Sequence, residues 1–166
     1  METTLMTKCL FEFIGTLVLV LLGDGVVAST VLKRSKGYGG GWVVITMAWG
    51  FAVMCGVLIA GPWSGAHLNP AVSVGLAVAG SFPWAYVPGY IIAQLLGGFC
   101  GAVLVYLYYK DHFDATDEPE TKLGVFCTMP AIMNKPRNFF CEAVGTFLLV
   151  FVILAIGNEL NTPEIG

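Results

Sequence analysis

Polar and apolar positions divide the chain into four long apolar runs, one short one, and the segments between them. The long runs cover about residues 9–32, 42–60, 86–109 and 137–156, and the short one covers 71–79. A helix needs roughly 20 apolar residues to cross about 30 Å of hydrocarbon, so each long run predicts a spanning helix. The segment 33–41 (KRSKGYGGG) predicts a polar, glycine-rich connection, and 80–85 (GSFPWA) a turn. Residues 61–70 (GPWSGAHLNP) cannot be helical throughout, because glycine and proline interrupt them. Residues 110–136 form a long polar connection holding five of the eleven acids and three of the eight prolines. The tail 158–166 (NELNTPEIG) ends the chain.

Composition supports a membrane chain. Apolar residues make up 57% and charged residues 11%, with a mean hydropathy of +0.79, whereas a soluble domain carries about 25% charge. The first apolar run is too long for a cleavable signal peptide. Eight Lys plus Arg and a net charge of −3 provide no basic face for nucleic acid. Cys9, Cys55, Cys100, Cys127 and Cys141 lack metal-ligand spacing and are expected to be small buried hydrophobes. No HExxH, nucleophile elbow or intramembrane His cluster appears, so neither an enzyme, a metal nor a cofactor is expected.

The stretch SGAHLNPAVS, residues 64–73, carries the chemistry. Asn69 is a good N-cap, Pro70 suits the first helical position, and Ala71 begins the short run. A nine-residue helix over 71–79 would be about 14 Å long, roughly half a bilayer. Non-helical backbone at membrane depth is tolerated only where protein or a watery cavity satisfies it. Residues 61–68 are therefore expected to be extended and re-entrant. The carbonyls of Gly65, Ala66 and His67 would act as acceptors along a path, and the half-helix N-terminus would add partial positive charge beside the Asn69 amide. Such a device suits a neutral, hydrogen-bonding solute. A buried helix with an Asn-Pro kink and no pore is the alternative.

Residues 11–18 (FEFIGTLV) and 141–148 (CEAVGTFL) share Glu, Gly and Thr at one spacing, offset by 130. The repeat predicts a first unit over 1–109, an inter-repeat connection over 110–136, and the first span of an incomplete second unit over 137–166. A copy of the HLNPA stretch would fall near position 199, beyond the chain. We therefore expect one complete unit plus the first span of another.

FEFIGT, TMAWGFAV, SGAHLNPAVS, IIAQLLGGFCGAVLVYLYY and VFCTMP occur in that order. Together they resemble the aquaporin family of major intrinsic proteins, in its bacterial glycerol-facilitator branch, over nearly the whole chain. The resemblance implies an all-α membrane protein: three spanning helices plus one re-entrant half-helix, then a fourth span. It implies Asn69 as the central donor to water or a polyol, and pore carbonyls from Gly65, Ala66 and His67. Trp49 would form an aromatic wall of the filter, and Val53 and Leu19 the apolar side. Glu12 would brace the loop, helped by Gln94, and Glu142 would brace a second loop that this sequence lacks. For Trp49 the plain alternative is an interfacial residue, for Glu12 a solvated headgroup-level acid, and for Val53 and Leu19 ordinary packing. Asp24 is expected to be solvated or capping, and His112 to lie in a surface connection. Gly15, Gly50, Gly97, Gly98 and Gly101 are expected at close helix contacts.

The implied function is passive diffusion of glycerol and other small neutral solutes, with some water, through a homotetramer in the cell membrane. The alternatives are a strict water channel and a non-conducting half that acts as an interaction protein. The family's second loop and its filter arginine are absent from this sequence. The family orientation also leaves Lys33, Arg34, Lys36, Lys110, Lys122 and Lys135 outside, against the positive-inside rule.

Overall fold

The computed structural model describes residues 3–157; the tail 158–166, which belongs to the expected incomplete second unit, lies outside the described residues. The described chain is all-helical. Its long helices are α1 (Leu5–Val31), α2 (Gly41–Ser64), α4 (Val87–Tyr108) and α7 (Lys135–Ile156), with the nine-residue α3 (Pro70–Val78) between α2 and α4. A 3₁₀ turn, Trp84–Tyr86, leads into α4. The four long helices are long and apolar enough to cross a membrane, as the four long apolar runs predict.

Local chemistry sets the helix ends. The Thr4 hydroxyl accepts from the Thr7 amide at 3.2 Å and caps α1. Asn134 does the same for α7, with Pro136 in its first turn. The expected extended stretch 61–68 is corrected at its beginning, because Gly61–Ser64 is the last turn of α2. Pro62 within this turn has no amide to bond the Leu58 carbonyl, and the helix ends two residues later. The helix stops at Gly65, whose φ of +84° is a left-handed conformation that glycine adopts without strain.

α1 packs between α2 and α4, and glycines permit the approach. A Cβ on Gly97 would lie 2.3 Å from the Phe13 carbonyl, and one on Gly101 2.7 Å from the Leu17 carbonyl. On the other face, Gly15 and Gly56 receive the Leu68 side chain. With lipid around the helices, such close backbone contact supplies the dispersion that holds them together. Gly50 departs from expectation: a Cβ there would meet nothing within 4 Å. The cysteines depart as well. None is buried, and Cys127 and Cys141 are exposed.

The polar connection is more ordered than its composition suggests. It contains α5 (Lys110–Ala115) and α6 (Pro119–Gly124). Phe113 and Val125 pack on Ala28, Leu32 and Val105, closing the end of the α1–α4 pair. The Lys33 amide donates to Thr116 Oγ1 at 2.9 Å, and His112 Nδ1 lies 3.1 Å from the Lys33 carbonyl. Lys33 Nζ also reaches Glu118 at 2.8 Å and Asp117 at 3.3 Å. The Glu118 hydrogen bond holds the Lys33 ammonium above its ordinary value, and Lys33 in turn holds Glu118 below the usual carboxylate range. α7 stands apart from this core. None of its residues is buried, and it touches α3 where Val150 would meet a Cβ on Gly75 at 2.7 Å.

Gly97→Ala is expected to cost about 1–3 kcal/mol through overpacking. Gly50→Ala is expected to leave stability unchanged or slightly raised, since Ala favours helix. Melting of the two variants in detergent, followed by circular dichroism, checks the contrast.

Candidate functional site

The loop between α2 and α3 is built around one carboxylate. Glu12 is fully buried on α1. Its Oε1 accepts from Ser64 Oγ at 2.6 Å and from the His67 amide at 2.9 Å. Its Oε2 accepts from the Leu68 amide at 2.7 Å and from Gln94 Nε2 at 2.8 Å. Four donors from three segments thus converge on one side chain, which an ionised carboxylate with two oxygens can satisfy.

A second tier of polar groups fixes the loop. Tyr90 OH donates to the Ser64 carbonyl at 2.7 Å, and the Ala66 amide donates to Ser64 Oγ at 3.1 Å. Gln94 Nε2 also reaches Ser73 Oγ at 3.1 Å, and His67 Nδ1 lies 3.0 Å from the same hydroxyl. The His67 ring packs against Phe82 and Tyr90, with centroids 4.4 and 4.9 Å away. The side chain is thereby committed to the protein interior. Ala66 (φ +51°) and Leu68 (φ +53°) adopt left-handed conformations unusual for residues with a Cβ, and the surrounding bonds hold them there.

This geometry leaves particular groups free. No donor among the described residues reaches the carbonyls of Gly65, Ala66 or His67. Asn69 Oδ1 accepts from the Ala71 amide at 2.8 Å, which caps α3 and leaves the Asn69 NH2 as the available donor. Pro70 occupies the first turn of α3, so the amide it lacks is one that would have no partner within the helix.

The other residues named from sequence lie at different levels. Leu68 contacts Gly15 of α1 and Gly56 of α2. Trp49 lies seven residues before Gly56, about 10 Å along the helix axis, and its ring rests on Gly23, where a Cβ would be only 2.4 Å from it. Leu19 is half-buried between these levels and Val53 is exposed. Glu142 is exposed on α7 and does not join the loop. Beyond Trp49 opens a cavity of about 870 Å³, walled by α1, α2 and the polar connection and including Asp24, Thr46, Trp49 and Thr128. Asp24 does not cap α1, and what solvent it meets is in this cavity. The residue is only 8% exposed, because α1 continues two turns past it to Val31.

Sequence reasoning missed Ser64, Ser73 and Tyr90. The two serines flank the loop motif and could have been suspected there. Tyr90 had no signal, since its role depends on where α4 crosses the loop.

The family model described as major intrinsic protein matches residues 1–165. The chain belongs to the major intrinsic protein family. It is 54% identical over 152 residues to a probable glycerol uptake facilitator protein of Thermotoga maritima, covering 92% of this chain and 65% of that protein. It is 47% identical over 161 residues to the glycerol uptake facilitator protein of Bacillus subtilis, covering 97% of this chain and 59% of that one. Among solved structures it resembles the aquaglyceroporin from Plasmodium falciparum, at 39% identity and a TM-score of 0.62, covering 67% of this chain and 45% of that one. The chain thus spans just under two thirds of the length of the curated relatives it matches. Membership, with four spanning helices, makes this major intrinsic protein chain a multi-pass membrane protein.

Glu12→Leu is expected to destabilise the fold by at least about 3 kcal/mol, since it strands several buried donors at about 1–3 kcal/mol each. Ser64→Ala, which removes one of them, should cost about 1–2 kcal/mol. Thermal melting in detergent, monitored by tryptophan fluorescence, checks the ranking.

Proposed function

We propose that the protein carrying this chain is a passive channel for glycerol and other small neutral solutes, with some water. Diffusion is down a gradient, with no bond chemistry and no energy coupling. The observation that carries the reading is the loop. Three successive carbonyls have no donor among the described residues, they end at one amide NH2, and that amide sits on the N-terminus of a half-helix. A hydroxylated solute can exchange its water for such acceptors and then for the Asn69 donor at little cost. The partial positive charge of the α3 N-terminus opposes cations at the same point. His67 contributes its carbonyl, while its ring serves the fold.

Trp49 forms the apolar wall of a narrow filter about two turns from the loop, with Leu19 and Val53 on the apolar side between. The indole face suits the CH edge of glycerol, and the carbonyl line suits its hydroxyl edge. Glu12 and Gln94 act by holding the loop rather than by touching solute. Glu142, at the matching position of the repeat, holds a second loop in the same way. Residues 1–109 form the first repeat, 110–136 the connection and 137–166 the start of the second repeat, and the assembly is a homotetramer. The names of the similar proteins, glycerol uptake facilitators and an aquaglyceroporin, favour glycerol over the strict water channel.

Glycerol flux into vesicles carrying the full-length protein, followed by light scattering after an osmotic step, tests the reading. Wild type should exceed empty vesicles clearly. Asn69→Asp should lower the flux by about tenfold or more, since it replaces the central donor with a carboxylate. Wild-type flux equal to that of empty vesicles would refute a channel.

A further inference from the structure

The brace around Glu12 leaves two buried oxygens unserved. Gln94 Oε1 and Thr16 Oγ1 are closed off from solvent, and neither has a hydrogen-bond partner among the described residues. Gln94 is 2% exposed and Thr16 6%. Buried side-chain oxygens nearly always have a partner, and leaving one without is costly.

The Gln94 amide is not free to turn over. Its Nε2 donates to Glu12 Oε2 at 2.8 Å and to Ser73 Oγ at 3.1 Å. The reverse orientation would set Oε1 against the carboxylate, so Oε1 has to face away from Glu12. Thr16 is unusual in its own way. A threonine within a helix commonly donates to a carbonyl one turn back, as Thr30 does to Val26 and Val27 at 3.0 Å. The Thr16 hydroxyl makes no such bond.

The two oxygens belong to one seam. Gln94 reaches from α4 to Glu12 of α1. One turn further along, Thr16 follows Glu12 on the same face of α1, and Gly98 follows Gln94 on α4. A Cβ on Gly98 would lie 4.0 Å from Thr16 Cγ2 and 3.8 Å from Val20 Cγ2. Those are ordinary contacts, so Gly98 leaves space for a methyl-sized group, whereas a Cβ on Gly97 would lie 2.3 Å from the Phe13 carbonyl. Positions one turn apart are separated by about 5–6 Å, about the span of two hydrogen bonds end to end. The described residues already enclose both oxygens, so a side chain from another segment has no route to them. A water molecule is small enough, and it can donate to an amide oxygen while accepting from a hydroxyl.

We infer that one buried water bridges Gln94 Oε1 and Thr16 Oγ1 in the α1–α4 seam and completes the brace. It donates to the amide oxygen and accepts from the hydroxyl. It thereby fixes the amide that serves both Glu12 and Ser73, and ties the start of α3 to α1. Thr146 follows Glu142 at the spacing by which Thr16 follows Glu12, so the same device accounts for the third residue shared by the repeat. The site does not depend on the glycerol-channel reading.

A crystal structure of the full-length protein, at a resolution that shows other buried waters, tests the site together with thermal melting of Thr16→Val in detergent. The structure should show a density peak within hydrogen-bond distance of both oxygens. Valine keeps the shape of threonine and removes the hydroxyl. A bridged hydroxyl predicts a melting temperature lower by about 2–4 °C or more in Thr16→Val, whereas a stranded one predicts no change or a rise. No peak, or a peak bonded to only one of the two oxygens, would overturn the bridge. An unchanged or raised melting temperature in Thr16→Val would overturn it as well.

Discussion

The Glu12 carboxylate is where α1, the end of α2, the loop and α4 meet. A loop crossing the interior of a membrane protein has amides that no water reaches and no ladder pairs. Two of those amides, on His67 and Leu68, point at Glu12. Without an acceptor there, the left-handed turns at Ala66 and Leu68 would keep only the second-tier bonds of Ser64 and Tyr90. Extended or helical backbone would then win, and the carbonyls would turn inward to find donors. The free carbonyls of residues 65–67 thus follow from satisfied amides on the other side of the same peptides. Free carbonyls and structural support are two faces of one hydrogen-bond pattern.

Helix packing supplies the frame. The brace works only if α1 stands close to both neighbours, and the glycines at 15, 97 and 101 permit that closeness. Gly23 repeats the device two turns above Gly15, this time for an indole ring. One helix therefore positions the loop at one level and the Trp49 ring at another, about 10 Å apart. The cavity with Asp24 follows next along the same helix.

Much of this was legible in the sequence because it depended on runs and short motifs. The spans follow from hydropathy, and α3 follows from the Asn69-Pro70 start and its nine-residue length. Errors arose where distance in space decided. Pro62 suggested a broken helix, yet it sits late enough in α2 to be absorbed. Gly50 looked like a contact glycine, but it faces nothing; a glycine's spacing does not reveal which face it occupies. Asp24 looked solvated because the apolar run does not show which face of α1 the residue occupies, and that face is buried. The connection looked merely polar, although Phe113 and Val125 fold it onto the α1–α4 end. Tyr90 could not have been assigned from sequence, since its hydroxyl meets a carbonyl 26 residues away.

The central claim is that Glu12 holds the loop's shape through its amides. Amide hydrogen exchange at His67 and Leu68, in wild type and in Glu12→Gln, measures this directly. Gln offers one acceptor oxygen in place of two, so at least one of these amides must lose its partner. The account predicts slow exchange at both positions in wild type and exchange faster by about tenfold or more at one or both in Glu12→Gln, the loss of about 1.4 kcal/mol or more of protection. Exchange in the interior of α1 should stay unchanged. Equal protection of His67 and Leu68 in the two proteins would contradict the account, because the loop would then keep its shape without the carboxylate.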